Sequence, residues 1–174
     1  ASCDRLSKAA EAIGAVNSIN KDEKGYVGDN TDCPAAIRAL EEKISLQGKR
    51  VAMLGAGGAA RAVGYGLQQK NATITIFNRT REKAEELAKR IGASHAPLEE
   101  LKDTSYDILI NTTSVGMAPN PHELPIPVDA IRKNTVVMDV VYNPSMTALL
   151  MEAKKKQCTI IPGTQMYEIG RAHV

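Results

Sequence analysis

Aromatic residues are scarce in this sequence, which has no Trp, one Phe and five Tyr among its 174 residues. Any core must therefore be built mainly from aliphatic side chains and Met. Long hydrophobic runs are also missing, since none approaches the roughly 18 residues that span a bilayer. Because no signal peptide is visible either, we expect a cytoplasmic protein with no membrane partner.

The sequence also has few cysteines and little excess of one charge over the other. Cys3, Cys33 and Cys158 stand far apart without a CxxC spacing, which favours reduced thiols over a disulfide framework or a metal site. The net charge is only +2, with basic and acidic residues interspersed along the chain. The cysteine spacing therefore predicts no metal, and the balanced charge predicts no nucleic-acid partner.

Apolar runs that alternate with helical patterns dominate the rest of the chain. The runs predict buried strands at residues 50–54, 73–77, 106–111, 135–140 and 158–162, with a short strand near 93–96. The helical patterns cover residues 59–70, 81–91 and 145–156. Continuous apolar strands alternating with helices are typical of βαβ units. We predict an α/β, Rossmann-type fold: a doubly wound parallel sheet of strand order 3-2-1-4-5-6 with helices on both faces.

The region before residue 50 does not show this alternation of strands and helices. A helix is predicted over residues 34–43, with Asp32 as its N-cap and Pro34 in its first turn. Two short extended runs, at residues 15–19 and 25–27, surround a polar turn. They predict a hairpin or crossing segment that belongs to another layer.

A glycine turn follows the first apolar run directly and opens a helix. In the sequence "GAGGAA" (residues 55–60), the first Gly permits a tight turn and the second lets the backbone approach a pyrophosphate. Amides at the helix N-terminus would then face the phosphates. The pattern predicts dinucleotide binding by Gly55, Ala56, Gly57, Gly58 and Ala59, and the alternative is a purely structural turn.

The next strand ends in Asn78, Arg79 and Thr80. About 20 residues beyond the glycine turn, an NAD-specific domain usually carries an acid that binds the ribose 2′-hydroxyl. A guanidinium instead pairs with a 2′-phosphate, which a carboxylate would repel. Thr80 can also cap the helix that follows, and Lys83 lies in its first turn. NADP is therefore the predicted cofactor, and the alternative is a solvated turn.

Seven short motifs follow one another along nearly the whole chain: "GAVNS" (14–18), "GDNTD" (28–32), "GAGGAARA" (55–62), "NRT" (78–80), "NTTSVGM" (111–117), "DVVYNP" (139–144) and "GTQM" (163–166). In this order they resemble those of the shikimate dehydrogenases (quinate/shikimate dehydrogenase family). These are NADP-dependent reductases of 3-dehydroshikimate in aromatic amino-acid biosynthesis. The resemblance implies that residues 1–31 are a remnant of the substrate-binding domain and crossover, and that residues 32–174 are the NADP-binding Rossmann domain.

The resemblance also implies roles for individual residues. Asn17 and Asp32 match residues that hydrogen-bond substrate hydroxyls, and Thr31 lies at the same substrate site. Asp32 matches the carboxylate of a catalytic Lys–Asp pair as well, and such a pair can manage the hydroxyl proton during hydride transfer. Tyr142 matches a position near the substrate. On the cofactor side, the implied residues are Asn111, Thr112, Met117, Val140, Gly163 and Met166, although Met166 equally suits core filling.

The sequence departs from the family pattern at both ends. The family's catalytic lysine would fall before Ala1, and the surroundings of Lys8 lack the family's pattern. Gly170 stands where the family has a Gln that touches substrate. Together with the absence of an initiator Met, these departures predict a chain truncated at both ends, with little or no shikimate turnover alone.

Loss of the substrate domain would also leave residues 1–30 without their usual neighbours. We expect this segment to be mobile, or to dock on a second copy of the chain by strand addition, so a homodimer is a further expectation. Its apolar residues Ile13, Val16 and Ile19 would normally meet the missing domain.

Three alternative functions remain open. The first is a quinate/shikimate dehydrogenase of broader specificity. The second is the nucleotide domain of glutamyl-tRNA reductase, which should lack "GDNTD" and "DVVYNP". The third is a non-catalytic regulatory module that binds a dinucleotide or ligand. His95, His122 and His173 lack metal-ligand spacing and are not expected to be catalytic. The Pro-rich loop 118–127 follows "NTTSVGM" and is a candidate lid.

Overall fold

The computed structural model describes residues 3–171, which form two sheets. The strands are β1 (Arg5–Leu6), β2 (Ser18–Asp22), β3 (Gly25–Asp29), β4 (Arg50–Leu54), β5 (Thr73–Phe77), β6 (Ser94–Ala96), β7 (Ile108–Asn111), β8 (Val136–Asp139) and β9 (Thr159–Ile161). The helices are α1 (Lys8–Ile13), α2 (Asp32–Glu41), α3 (Gly58–Gln69), α4 (Arg81–Ile91), α5 (Ala148–Lys155) and α6 (Gly163–Arg171), with 3₁₀ turns at Leu98–Asp103 and Val128–Ala130. Every helix in this range is too short or too polar to cross a bilayer.

The larger sheet confirms the predicted fold. Its six strands are all parallel and run in the order β6-β5-β4-β7-β8-β9, which is the predicted order 3-2-1-4-5-6. The bounds of β4 and β5 agree with the prediction, whereas β7, β8 and β9 are shorter than their apolar runs. Leu54 pairs with Phe77 on one side and Asn111 on the other, so these strands end level at the carboxyl edge.

The core lies on both faces of this sheet because successive side chains of each strand point to opposite faces. Met53 and Ile76 pack with α2, α3 and α4 on one face. Leu54 and Phe77 pack with α5 and the segment around Ile126 on the other. The aliphatic core that the scarcity of aromatics predicted is therefore present, with Phe77 as its one fully buried aromatic ring among the described residues.

The N-terminal segment forms a small sheet of its own. β2 and β3 make the expected antiparallel hairpin, and β1 adds to it in parallel. The expectation for Ile13 was wrong: this side chain is 1% exposed and packs with Cys33 and Ala62 of α2 and α3. Val16 and Ile19, in contrast, are 40% and 47% exposed.

The start of α2 differs from the prediction in a way that matters for the site. Asp32 is not the N-cap: it lies inside the first turn of α2, and Thr31 takes the cap position without a side-chain cap bond. Asn30, only 4% exposed, accepts a hydrogen bond from the Cys33 amide at 3.1 Å instead. Because Asn30 serves the helix end, the Asp32 carboxylate is left for other partners.

Candidate functional site

A cleft of about 940 Å³ opens at the carboxyl edge of β4, β5 and β7. This edge is where ligands bind in open α/β sheets. The cleft is lined by Leu54, Gly55, Ala56, Gly57, Arg61, Phe77, Asn78, Arg79, Thr80, Lys83, Glu86, Leu87, Arg90, Leu98, Thr112, Thr113, Ser114, Val115, Glu123, Leu124 and Pro125. The glycine turn, the "NRT" turn and the "NTTSV" loop are thus brought together.

The glycine turn has the geometry of a backbone cradle. Gly55 adopts φ +100°, donates its amide to Phe77 O at 2.9 Å, and would carry a Cβ only 2.9 Å from Thr112 Oγ1. A Cβ at Gly57 or Gly58, in contrast, would meet no protein atom within 4 Å. Gly55 is therefore required by the fold. The other two glycines keep open the space that a pyrophosphate would need at the start of α3.

The turn after β5 presents two free cations to the cleft. Asn78 Nδ2 donates to Thr80 O at 2.8 Å and so braces the turn internally. Thr80 occupies the N-cap position of α4, but its hydroxyl makes no cap bond, so only the position of the predicted cap is correct. Within residues 3–171, the side chains of Arg79 and Lys83 form no hydrogen bond or ion pair, although both residues line the cleft. An anion in the cleft would therefore meet two uncommitted positive charges.

Sequence reasoning missed two further cations in this cleft. Arg61, in the first turn of α3, is half-buried, and its guanidinium has no hydrogen-bond or ion-pair partner in the described part of the chain. Arg90 donates to Ala12 O from Nε at 3.2 Å and from Nη2 at 2.8 Å, and so ties α4 to the end of α1. Lys83 and Arg90 lie two helical turns apart, and that spacing could have indicated a shared face.

The loop after β7 is held by a side chain that does not itself line the cleft. Asn111 is 0% exposed; its amide donates to Asp139 Oδ1 (3.0 Å) and Val115 O (3.3 Å), while its oxygen accepts from Thr113 N and Oγ1. Thr112 does line the cleft, and its hydroxyl donates to Leu54 O at 2.5 Å. The Asn111 side chain is therefore committed to shaping this loop, and a direct contact with a cofactor stays a prediction.

Asp139, at the end of β8, is a buried carboxylate that sequence reasoning did not single out. It accepts from Asn111 Nδ2 and Val141 N, both at 3.0 Å, and from Thr147 Oγ1 at 2.7 Å. Burial raises the pKa of Asp139 to about 6, although the three hydrogen bonds act in the opposite direction. The only signal in the sequence was its place at the head of "DVVYNP".

Three of the predicted substrate residues meet in one cluster. Asn17 Oδ1 accepts from Thr31 N at 2.9 Å and from Thr31 Oγ1 at 3.3 Å, and Asn17 also shares a side-chain hydrogen bond with Asp32. Desolvation raises the pKa of Asp32 above its usual range, while the bond to Asn17 lowers it. The cluster does not line the cofactor cleft, so it forms a separate polar surface beside the start of α2.

The remaining predicted residues lie outside the cleft lining: Gly58, Ala59, Met117, Val140, Tyr142, Gly163 and Met166. Tyr142 is 55% exposed and stacks on Tyr167, with ring centroids 5.5 Å apart and an interplanar angle of 17°. Met166 packs against the core, which favours the filling role already considered for it. Gly163 is buried against the Val140 and Val141 carbonyls.

The Pro-rich loop contributes directly to the cleft through Glu123, Leu124 and Pro125. His122 is exposed on the same loop, and His95 lies in β6. His173 lies outside the described residues. Among residues 3–171, no three His, Cys, Asp or Glu side chains are grouped so as to hold a metal ion.

Comparison with known proteins gives a consistent assignment. The chain matches the family model for shikimate/quinate 5-dehydrogenase over residues 38–123. It is 45% identical over 172 residues to the shikimate dehydrogenase (NADP(+)) of Shouchella clausii, covering 94% of this chain and 62% of that relative.

Solved structures agree with the sequence comparison. A shikimate dehydrogenase in complex with NADP+ superposes with a TM-score of 0.92 at 40% identity, covering 98% of this chain and 63% of the other. The shikimate 5-dehydrogenase of Thermus thermophilus, in complex with NADP(H) and shikimate, gives 0.89 at 35% identity, covering 98% and 64%. The chain thus spans less than two thirds of the length of these relatives. Over that span, the chain is similar in sequence and in fold to the shikimate/quinate 5-dehydrogenase family.

Proposed function

We propose that this chain is the NADP-binding part of a shikimate dehydrogenase, which moves a hydride between NADP and the carbon that is a secondary alcohol in shikimate and a ketone in 3-dehydroshikimate. The observation that carries the proposal is the cleft itself. An open glycine cradle lies beside Arg79 and Lys83, and no acid stands at the end of β5. Relatives that are named for NADP and shikimate support the same cofactor and substrate.

The residues of the cleft suit the successive parts of NADP. Amides at the start of α3 would bind the pyrophosphate, and Arg79 and Lys83 would pair with the 2′-phosphate. Thr112, with its neighbours in the loop after β7, would line the other half of the cofactor. The bound nicotinamide would supply or accept the hydride, and the chain's own residues would hold it in place.

On the substrate side, the Asn17–Thr31–Asp32 cluster would bind hydroxyl groups. Asn17 holds Thr31 and Asp32 in one arrangement, so that the Asp32 carboxylate can accept a hydrogen bond from a substrate hydroxyl. The raised pKa of Asp32 favours proton exchange at its carboxylate.

Gly57→Val tests this proposal because its Cβ would meet no protein atom within 4 Å, while the side chain would enter the cradle. We expect NADPH binding to weaken by about a hundredfold or more, since the side chain would occupy the pyrophosphate position. The melting temperature should stay close to that of the wild type. NADPH fluorescence titration and thermal unfolding measure the two effects. If Gly57→Val binds NADPH as well as the wild type does, the glycine turn is structural and the proposal fails.

A further inference from the structure

Asp139 is the one buried carboxylate among the described residues, and its charge has no cationic partner. It is 0% exposed, and within residues 3–171 it takes part in no ion pair. All three of its partners are hydrogen-bond donors. A buried carboxylate without a cation is expensive to maintain, and an apolar residue at such a position is often at least as stable. Fold stability alone therefore does not explain an Asp at this position.

The three donors belong to three different segments. Asn111 shapes the loop after β7 through Thr113 and Val115, both of which line the cleft. Val141 belongs to the segment that leads into Tyr142. Thr147 accepts from Leu150 N at 3.3 Å and so caps α5.

These segments also touch one another, so Asp139 stands at the centre of a connected assembly. Ala118 N donates to Asn143 O at 3.1 Å, which joins the loop after β7 to the loop after β8. Gly116 lies against Thr147, since a Cβ on Gly116 would stand 3.8 Å from the Thr147 Cβ. A displacement of Asp139 would therefore be transmitted to both loops.

The proposed function gives this assembly a definite position relative to the cofactor. In a doubly wound sheet the adenosine half is read at the end of the second strand, here β5, and the pyrophosphate lies at the glycine turn. The nicotinamide half then lies on the opposite side, over the ends of β7 and β8. Those are the ends from which the two loops joined by Asp139 emerge.

We propose that Asp139 is a positioning residue for the nicotinamide half of the cofactor, an inference that rests on the proposed function. Its carboxylate fixes residues 111–117 and 140–147 relative to each other through Asn111, Val141 and Thr147. The adenosine half, bound around Arg79 and Lys83, does not depend on it.

Two ligands distinguish this role from general stabilisation: NADPH, and 2′,5′-ADP, which lacks the nicotinamide. In Asp139→Ala, three buried donors lose their acceptor, so NADPH binding to this chain should weaken about tenfold or more. Binding of 2′,5′-ADP should change by no more than about twofold, because its site is distant from the substitution. Calorimetric titration of both ligands measures the difference.

Conservative variants make the test specific. Asp139→Asn keeps an oxygen for Asn111 and Val141 and can donate to the Thr147 hydroxyl, so it should recover most of the NADPH affinity. If Asp139→Ala does not fold, Thr147→Val removes one link with little change of shape, and Thr147→Ser restores the hydroxyl. Thr147→Val should show the selective loss and Thr147→Ser should not. Asp129→Ala, an exposed control, should leave both affinities unchanged.

A selective loss for NADPH, relieved by the conservative partners, supports the assignment. Equal losses for both ligands would show that Asp139 only stabilises the fold, and unchanged affinity for both would show that the link is dispensable. Either result overturns the proposal. A wild-type chain that binds no 2′,5′-ADP would instead overturn the proposed function, and the role of Asp139 with it.

Discussion

Replacing Gly163 by Ala is expected to lower the free energy of unfolding by roughly 3 kcal/mol and the melting temperature by about 10 °C. The added Cβ would lie 2.5 Å from Val141 O and 2.6 Å from Val140 O. Both atoms are backbone, so neither can turn aside as a flexible side chain would. Either α6 or the segment after β8 must move. Tyr142 follows that segment directly, so the Tyr142–Tyr167 stack should be disturbed as well.

Gly170→Ala is the matched control because it changes the same helix. Its Cβ would lie 3.7 Å from Ala35 Cβ, an ordinary van der Waals contact. We expect a change within about 1 kcal/mol, and an Ala inside a helix tends to be stabilising. Thermal or urea unfolding of the three proteins gives the comparison. Equal stability of Gly163→Ala and wild type would show that the close approach of backbone at α6 is not a constraint.

The stability of the chain should fall between about pH 4 and pH 6 through Asp139. Its pKa is raised from 3.8 to about 6 in the folded state, so the native protein binds more protons than the unfolded chain in this range. A raised carboxyl pKa contributes stability that is complete below the unfolded value and is lost as the pH rises through the folded value. The corresponding loss in the free energy of unfolding is about 3 kcal/mol.

Asp139→Asn isolates this contribution because the amide does not titrate. Urea unfolding from pH 4 to pH 7 should show a steeper loss of stability in the wild type than in the variant. Two other carboxyl groups also have shifted pKa values: Arg50 holds the pKa of Asp107 down to about 2, and burial raises the pKa of Asp32. These groups are present in both proteins and cancel in the comparison. Parallel pH curves for the two proteins would mean that Asp139 titrates normally in the fold.

Much of the fold was predictable because local patterns and tertiary burial agree. The bounds of β4, β5 and α4 follow directly from apolar runs and a helical pattern. The start of α2 was not predictable in the same way, since Asn30, Thr31 and Asp32 are all suitable caps by type. The buried position of Asn30 decides among them, and that position depends on the packing of the N-terminal segment.

The N-terminal segment shows a second limit of sequence reasoning. Ile13 is one apolar residue in a short helix, and its sequence neighbours do not say which surface it meets. The structure packs it on α2 and α3, and Arg90 binds the carbonyl of Ala12 beside it. Both contacts join residues far apart in sequence, so neither appears in a local pattern.

The candidate site was predictable where a motif has a fixed geometric meaning. Residues 55–57, Arg79 and Thr112 follow strand ends and line one cleft, and Lys83 joins them from the first turn of α4. Their contact with a cofactor stays a prediction. Arg61 was missed because a single basic residue on a helix carries no pattern.

Asp139 was missed for a different reason. Its role depends on three hydrogen bonds to segments that meet only in the folded chain. The position of Asp139 at the start of "DVVYNP" therefore did not reveal its hydrogen-bond partners.

Selection of NADP by this cleft through Arg79 is tested most directly by parallel fluorescence titrations with NADPH and NADH. The wild type should bind NADPH about a hundredfold more tightly than NADH, since charge-assisted bonds to the 2′-phosphate are lost with NADH. Arg79→Ala should remove about tenfold or more of that preference with little effect on NADH. Arg81→Ala, outside the cleft lining, should behave as wild type. Equal affinity of the wild type for both cofactors, or no binding of either, would contradict the account.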